Sequence, residues 1–375
     1  MKAPVTALFT FIFIINGCGG SSSPSVDLQA LKEQLGSSIF ADTNLSEPAG
    51  QACATCHHVQ SGFADPNSSS TNPVSQGAIT GRFGDRNAPT AAYASFTPPF
   101  GINTLGEYVG GQFLDGRAAT LADQAKIPFL NPLEMANADQ ASVIAKIRNS
   151  SYAALFEKIY GTGSLNNTGT AFGQVAEALA AFQSTSLFHP YTSKFDYFLA
   201  GQVQLTAQEK RGFNLFDGKG QCFSCHEQGQ NKLFTNYTYQ NLGVPKNPDN
   251  PFYTMPAQYN QDGLTYADLG LGANPVVMSI FENGKFRTPT LRNVALTAPY
   301  MHNGVFQTLE QVVNFYNTRD VLPTCPTDII QVNCWPAPEV SENMNTQLMG
   351  NLGLTLSEVN DIVAFLKTLT DGYVP

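Results

Sequence analysis

Charge is scarce in this chain. Only 13% of its 375 residues are Asp, Glu, Lys or Arg, and the 20 basic residues are outnumbered by 29 acidic ones, for a formal net charge of −9. That balance offers no cationic surface, which argues against nucleic acid or an acidic membrane surface as the main partner. Histidine occurs five times and tryptophan once, at Trp335. Long apolar runs are also missing. The one candidate, Val5 to Ile15, is too short to span a bilayer as a mature helix. No segment sustains the alternation of a large sheet. What the chain does have is 42% hydrophobic content and enough length for two ordinary domains with real cores.

The N-terminus, MKAPVTALFTFIFIINGCGGSSSPS, sets one Lys before its apolar run and small residues after it, the layout of an export signal. Ile15-Asn16-Gly17-Cys18 resembles a bacterial lipoprotein box, with Asn16 departing from the usual residue there. On that reading residues 1–18 are the signal, Cys18 carries a lipid anchor, and residues 19–27 form a flexible tether. A plain secretory signal cut nearby leads to the same expectation: an exported protein, in the periplasm or held at the outer membrane or cell surface.

The seven cysteines divide cleanly. Beyond Cys18, four stand in CATCH (Cys53 to His57) and CFSCH (Cys222 to His226), while Cys325 and Cys334 lie close together in a Pro-rich loop. In an exported chain a disulfide is the default for that last pair. The segments around the two pentapeptides share a plan. LGSSIFADTNLSEPAGQACATCHHVQSGFAD and GFNLFDGKGQCFSCHEQGQNKLFTN each carry an apolar turn ending in Phe, a Gly-containing loop, Cys-x-x-Cys-His, and another Phe shortly after. Capping boxes at Thr206/Glu209, Thr308/Gln311 and Thr355/Glu358 predict helix starts, the last opening an amphipathic stretch to about Leu369. Leu28 to Phe40, Ala138 to Asn149 and Ala171 to Thr185 also carry helical spacing. Residues Asp65 to Phe100 and Gly243 to Asn283, rich in Pro, Asn and Gly, read as ordered loops wrapping something large. The expected fold is mainly α, two cytochrome c-like haem domains with long ordered loops and little sheet, divided as residues 28–190 and 191–375.

Cys-x-x-Cys-His binds haem covalently because two thiols add across its vinyl groups and the adjacent imidazole then lies over the iron. A single copy is compatible with half a zinc site or a redox dithiol. Two copies in an exported chain, each with the same flanking loop chemistry, point to two c-type haems. Cys53, Cys56 and His57 are expected to hold haem 1, and Cys222, Cys225 and His226 haem 2. The remaining histidines are His58, His189 and His302. His58 follows a ligand and cannot reach the opposite face of the same iron. His189 precedes Pro190 at the end of a predicted helix and reads as a capped surface residue. With distal ligands so scarce, an open haem face is expected, as peroxide chemistry requires.

Longer blocks then carry a resemblance. GRFGDRNAPT (Gly81 to Thr90), LDGRAATLADQAKIPFLNPLEM (Leu114 to Met135), FRTPTLRNVALTAPYMHNG (Phe286 to Gly304) and TLEQVVNFYN (Thr308 to Asn317), in that order, resemble the bacterial dihaem cytochrome c peroxidase and MauG family over nearly the whole mature chain. The resemblance implies Glu134 as a distal carboxylate that moves the proton of a bound peroxide, with Gln124 and Pro128 lining the same pocket. It implies a calcium ion held by Asn87, Thr297 and Pro299, whose oxygens are hard ligands. Where family peroxidases carry a His able to cap haem 1, this chain has Ile79 nearby and no His, so haem 1 is expected to stay five-coordinate. Where family members carry Trp between the haems, this chain has Leu114, with Phe113 and Tyr108 as possible substitutes.

Three side chains compete opposite His226. Met301 would raise the potential of haem 2, His302 would lower it, and Tyr316 as phenolate would favour ferric iron. On the bare sequence Tyr316 reads as a packing aromatic beside Phe315. The family register, counted from His302, lands on Tyr316, the position where the MauG branch carries Tyr; His302 then reads as a residue near a propionate. The implied activity is oxidation, driven by hydrogen peroxide, of Trp or Tyr residues in an exported partner protein. A dihaem peroxidase fed by a small cytochrome or cupredoxin is the first rival, and a non-enzymatic dihaem electron carrier the second.

Overall fold

The computed structural model describes residues 27–375. The export segment, Cys18 and nearly all of the expected tether lie outside the described residues. Asp27, the last tether position, caps the first helix by accepting from the backbone N–H groups of Gln29 and Ala30. Among the described residues the helices are α1 (Leu28–Ala41), α2 (Cys53–Cys56), α3 (Leu121–Leu130), α4 (Gln140–Arg148), α5 (Ala153–Tyr160), α6 (Thr168–Gln183), α7 (Lys194–Leu199), α8 (Ala207–Asp217), α9 (Leu309–Thr318) and α10 (Leu356–Lys367). None is long and apolar enough to cross a membrane. The three expected capping boxes start α8, α9 and α10, and a fourth, Ser193 with Asp196, starts α7.

Among the described residues sheet is confined to two antiparallel pairs, β1 (Gly101–Ile102) with β2 (Tyr108–Val109) and β3 (Tyr239–Gln240) with β4 (Phe286–Arg287). They matter because they join the halves: Val109 bridges to Thr238, and the Arg287 N–H donates to the Leu114 carbonyl at 2.8 Å. Long loops with short 3-10 turns fill the remainder, including most of residues 65–100 and 243–283. The fold is therefore mainly α. Cys325 and Cys334 are joined as a disulfide.

Each half is built on one helix crossing, and the two crossings match. α1 packs on α6 and α8 packs on α10, the two most extensive helix contacts among the described residues. A Cβ placed on Gly36 of α1 would sit 2.0 Å from the Ala178 carbonyl oxygen of α6; one on Gly212 of α8 would sit 1.8 Å from that of Asp361 of α10. Only a hydrogen in place of Cβ lets the two backbones come this close. Four residues on, Phe40 and Phe216 enter the two cores. The repeated turn ending in Phe thus marks a repeated helix crossing.

Gly212→Ala is expected to destabilise the protein by about 1–3 kcal/mol or more, because the methyl group meets rigid backbone and the helices must separate. The check is the thermal midpoint of the holoprotein. An unchanged midpoint would mean that α8 and α10 do not cross this closely.

Candidate functional site

Both Cys-x-x-Cys-His motifs open onto one continuous cavity of about 440 Å³, between the paired helices and the loops that wrap them. The backbone N–H of His57 donates to the Cys53 carbonyl at 2.9 Å, and that of His226 to the Cys222 carbonyl at 2.8 Å, so each motif closes as a single tight turn. The imidazoles are then oriented in the same way. His57 Nδ1 donates to the Phe63 carbonyl at 3.0 Å and His226 Nδ1 to the Phe234 carbonyl at 2.9 Å. A carbonyl can only accept, so the proton sits on Nδ1 and the Nε2 lone pair is left for a metal. Phe63 and Phe234 both adopt left-handed backbone, φ 59° and 56°, and both rings are buried in the two cores.

Burial sets the protonation of these groups. It pulls His226 down to about 4 and holds His57 below its ordinary value, so both rings are neutral, the form that binds metal. It pushes the thiols of Cys53, Cys56 and Cys222 up to about 12. Among the described residues, no cluster of three or more His, Cys, Asp or Glu is arranged to hold a bare metal ion. Two thiols and one outward Nε2 per motif, on a shared and largely apolar cavity, instead fit a large flat cofactor that brings its own metal.

On the first motif's side, Glu134 lines the cavity with Gln124 and Pro128. Glu134 follows α3, where its N–H donates to the Asn131 carbonyl and its own carbonyl accepts from Ala78. Its Oε2 is buried without a hydrogen-bond partner. Burial raises its pKa to about 7, against the opposing pull of Arg117. Ile79, near the position where family peroxidases can carry a capping His, does not line the cavity.

On the second motif's side the three candidate residues have different fates. His302 is buried; its Nε2 lies 3.1 Å from Glu339 Oε2, and its ring stacks on Phe286 at 3.9 Å. Met301 lines the cavity from a left-handed backbone, φ 75°. Tyr316 lines it from α9, half-buried, and its hydroxyl makes no hydrogen bond to the described residues. Burial first, then the nearby Cys225 and Cys222, holds that phenol well above its ordinary range.

Asn87, Thr297 and Pro299 all line the cavity; the Asn87 side-chain amide donates to the Pro299 carbonyl and its backbone N–H to the His302 carbonyl, while the Thr297 hydroxyl donates to the Val294 carbonyl. Phe113 and Leu114 line the cavity, whereas Tyr108 stacks on Phe100 and does not. His58 is not among the lining residues, and His189 Nε2 donates to the Ser184 carbonyl at 2.9 Å.

Sequence reasoning missed a charged wall between the motifs. Arg86 donates bidentately to Asp268 and, through Nη1, to Asp115, which also accepts from Arg117. Arg86, Asp115 and Arg117 lie inside the quoted blocks. Asp268 and Glu339 stand in irregular loops, where the only signal was an acidic residue in a chain so poor in charge.

The family model for di-haem cytochrome c peroxidase matches residues 30–204. Methylamine utilization protein MauG of Paracoccus denitrificans is 40% identical over 346 residues, 90% of this chain and 88% of that protein. Among solved structures, the diheme peroxidase BthA of Burkholderia thailandensis superposes with a TM-score of 0.77 at 32% identity, over 91% of this chain and 86% of that one. A MauG-like protein associated with microbial copper homeostasis gives 0.66 at 28% identity, over 91% and 90%. The chain belongs to the di-haem cytochrome c peroxidase family, on its MauG-like branch, and is an oxidoreductase acting with peroxide through two c-type haems.

Proposed function

We propose that this protein uses hydrogen peroxide to oxidise Trp or Tyr residues of an exported partner protein. Cys53, Cys56 and His57 would hold one haem, and Cys222, Cys225, His226 and Tyr316 the other. The observation that carries this reading is Tyr316, which lines the cavity near Cys222 and Cys225 with its hydroxyl unbonded among the described residues, while the rival His302 is engaged by Glu339. An anionic oxygen ligand disfavours ferrous iron, which suits storage of an oxidising equivalent better than electron uptake from a carrier.

When bound, the haems supply the redox chemistry: one peroxide takes two electrons, and these come from the partner's side chains. The chain's own residues manage protons and access. Glu134 accepts a proton from peroxide at its unpartnered Oε2 and returns it to the departing oxygen, which leaves as water. Gln124 and Pro128 narrow the space around that carboxylate. Tyr316 gives up its phenolic proton on ligation.

A peroxidase drawing electrons from a small cytochrome or cupredoxin is the second reading, favoured by Met301, a thioether on the same cavity wall. The two are separated by incubating the holoprotein with peroxide and exported candidate partners, copper-binding proteins first because one structural neighbour is associated with copper homeostasis. Mass increases at partner Trp or Tyr residues are expected. Peroxide consumption that depends only on a reduced cytochrome, with every partner unmodified, would sink the proposal.

Glu134 sets a pH dependence. Its pKa of about 7 means that the proton-accepting form grows as pH rises through 7, so peroxide consumption is expected to rise over the same range. Glu134→Gln should lose that limb and fall roughly 10²–10⁴-fold in rate. A variant that keeps the wild-type pH limb would assign the titration to another group.

A further inference from the structure

Among the described residues the buried and nearly buried arginines are paired with carboxylates, with one exception. Arg292, fully buried, donates to both oxygens of Asp196 at 2.6 and 2.8 Å. Arg86 pairs with Asp268 and Asp115, and Arg319 with Asp320. Arg287 is 9% exposed and makes no ion pair. Its side chain makes only two long hydrogen bonds among the described residues, from Nε and Nη2 to the single carbonyl oxygen of Phe113 at 3.4 Å. Its Nη1 has no partner among the described residues.

The surroundings cannot supply the missing anion. Asp115 acts on Arg287 only at a distance, because both of its oxygens are taken, Oδ2 by Arg86 and Arg117 and Oδ1 by the Arg117 backbone N–H. The Tyr237 ring centre lies 6.0 Å from the guanidinium, and Tyr239, the cross-strand partner of Arg287, has its hydroxyl committed to the Gly110 carbonyl at 2.6 Å. Burial accordingly pulls Arg287 below the ordinary arginine range, in contrast to Arg86 and Arg292, which are raised. Leaving a guanidinium buried and unpaired is costly, and the cost is removed by an anion that enters with the cofactor.

Position narrows the anion. Arg287 lies on β4, and its own N–H is held by the Leu114 carbonyl. It therefore sits where the two halves meet, on the wall of the cavity shared by both motifs. A haem covalently held by its vinyl edge directs its two propionates away from the cysteines. We propose that Arg287 anchors a haem propionate carboxylate at this junction, with Nη1 and Nη2 presented as a two-pronged donor. The assignment rests on the presence of two haems and is independent of Tyr316 ligation and of any partner protein.

Spectroelectrochemical titration of the holoprotein, beside Arg287→Gln and Arg287→Lys, tests it. Without the guanidinium the propionate charge is unneutralised and favours ferric iron. Arg287→Gln is expected to move the ferric–ferrous equilibrium of one haem roughly tenfold toward ferric, about 59 mV for a one-electron couple. The other haem should move much less, and Arg287→Lys should recover most of the shift. Equal haem content per chain shows that the variants are loaded. If the Gln variant does not accumulate, the Lys variant reads loss of the fork at constant charge, with a smaller shift of the same sign expected. Unchanged potentials at both haems would overturn the proposal. So would a wild-type potential that moves to the Arg287→Gln value with added chloride or phosphate, since the guanidinium would then serve a free anion.

Discussion

Two backbone carbonyls, those of Phe63 and Phe234, set the orientation of the two imidazoles on which the site depends. A hydrogen bond of this kind does two things at once. It selects the Nδ1–H tautomer, and it stops the ring from rotating Nε2 out of the cavity. Each carbonyl is held in turn by a Phe side chain sunk in its own core, and each core by a helix crossing that only glycine permits. The order of dependence runs from Gly36 and Gly212 through the cores to the two Nε2 lone pairs. Loosening a crossing far from the cavity is therefore a change at the metal-binding atom.

The two sides of the cavity are alike in attachment and unlike in what faces them. Beside the first motif stands a carboxylate with an unpartnered buried oxygen; beside the second stands a phenol with an unbonded hydroxyl. A buried Glu whose pKa lies near 7 suits a group that must both take and give a proton at neutral pH. A phenol held well above its ordinary range keeps its proton unless a bound metal displaces it. Between the two sides runs the wall of Arg86, Asp115, Asp268 and Arg117, whose charges balance locally, and Arg287, whose charge does not.

Much of the fold could be read from the chain. The capping boxes at Thr206, Thr308 and Thr355 name their helices because a side-chain oxygen and a following Glu or Gln satisfy local backbone groups, a signal contained within four residues. The paired Cys-x-x-Cys-His motifs, the Phe after each, and the Cys325–Cys334 pair were equally local. α3 is hard to see in the sequence because it carries a proline, Pro128, inside the helix. α5 and α7 are short, and neither spans enough turns to show a period. The seam formed by β3, β4 and Leu114 was beyond reach, since strands of two residues have no alternation to detect and their partners are remote in sequence. For the same reason the union of His302 with Glu339, and the isolation of Arg287, are facts of tertiary placement.

The proposed function needs one haem with an open face and the other capped by Tyr316. Electron paramagnetic resonance of the oxidised holoprotein, beside Tyr316→Met, tests it most directly. One high-spin and one low-spin ferric signal are predicted, with only the low-spin signal altered in the variant. Two low-spin signals, or a low-spin signal indifferent to the loss of Tyr316, would contradict the account.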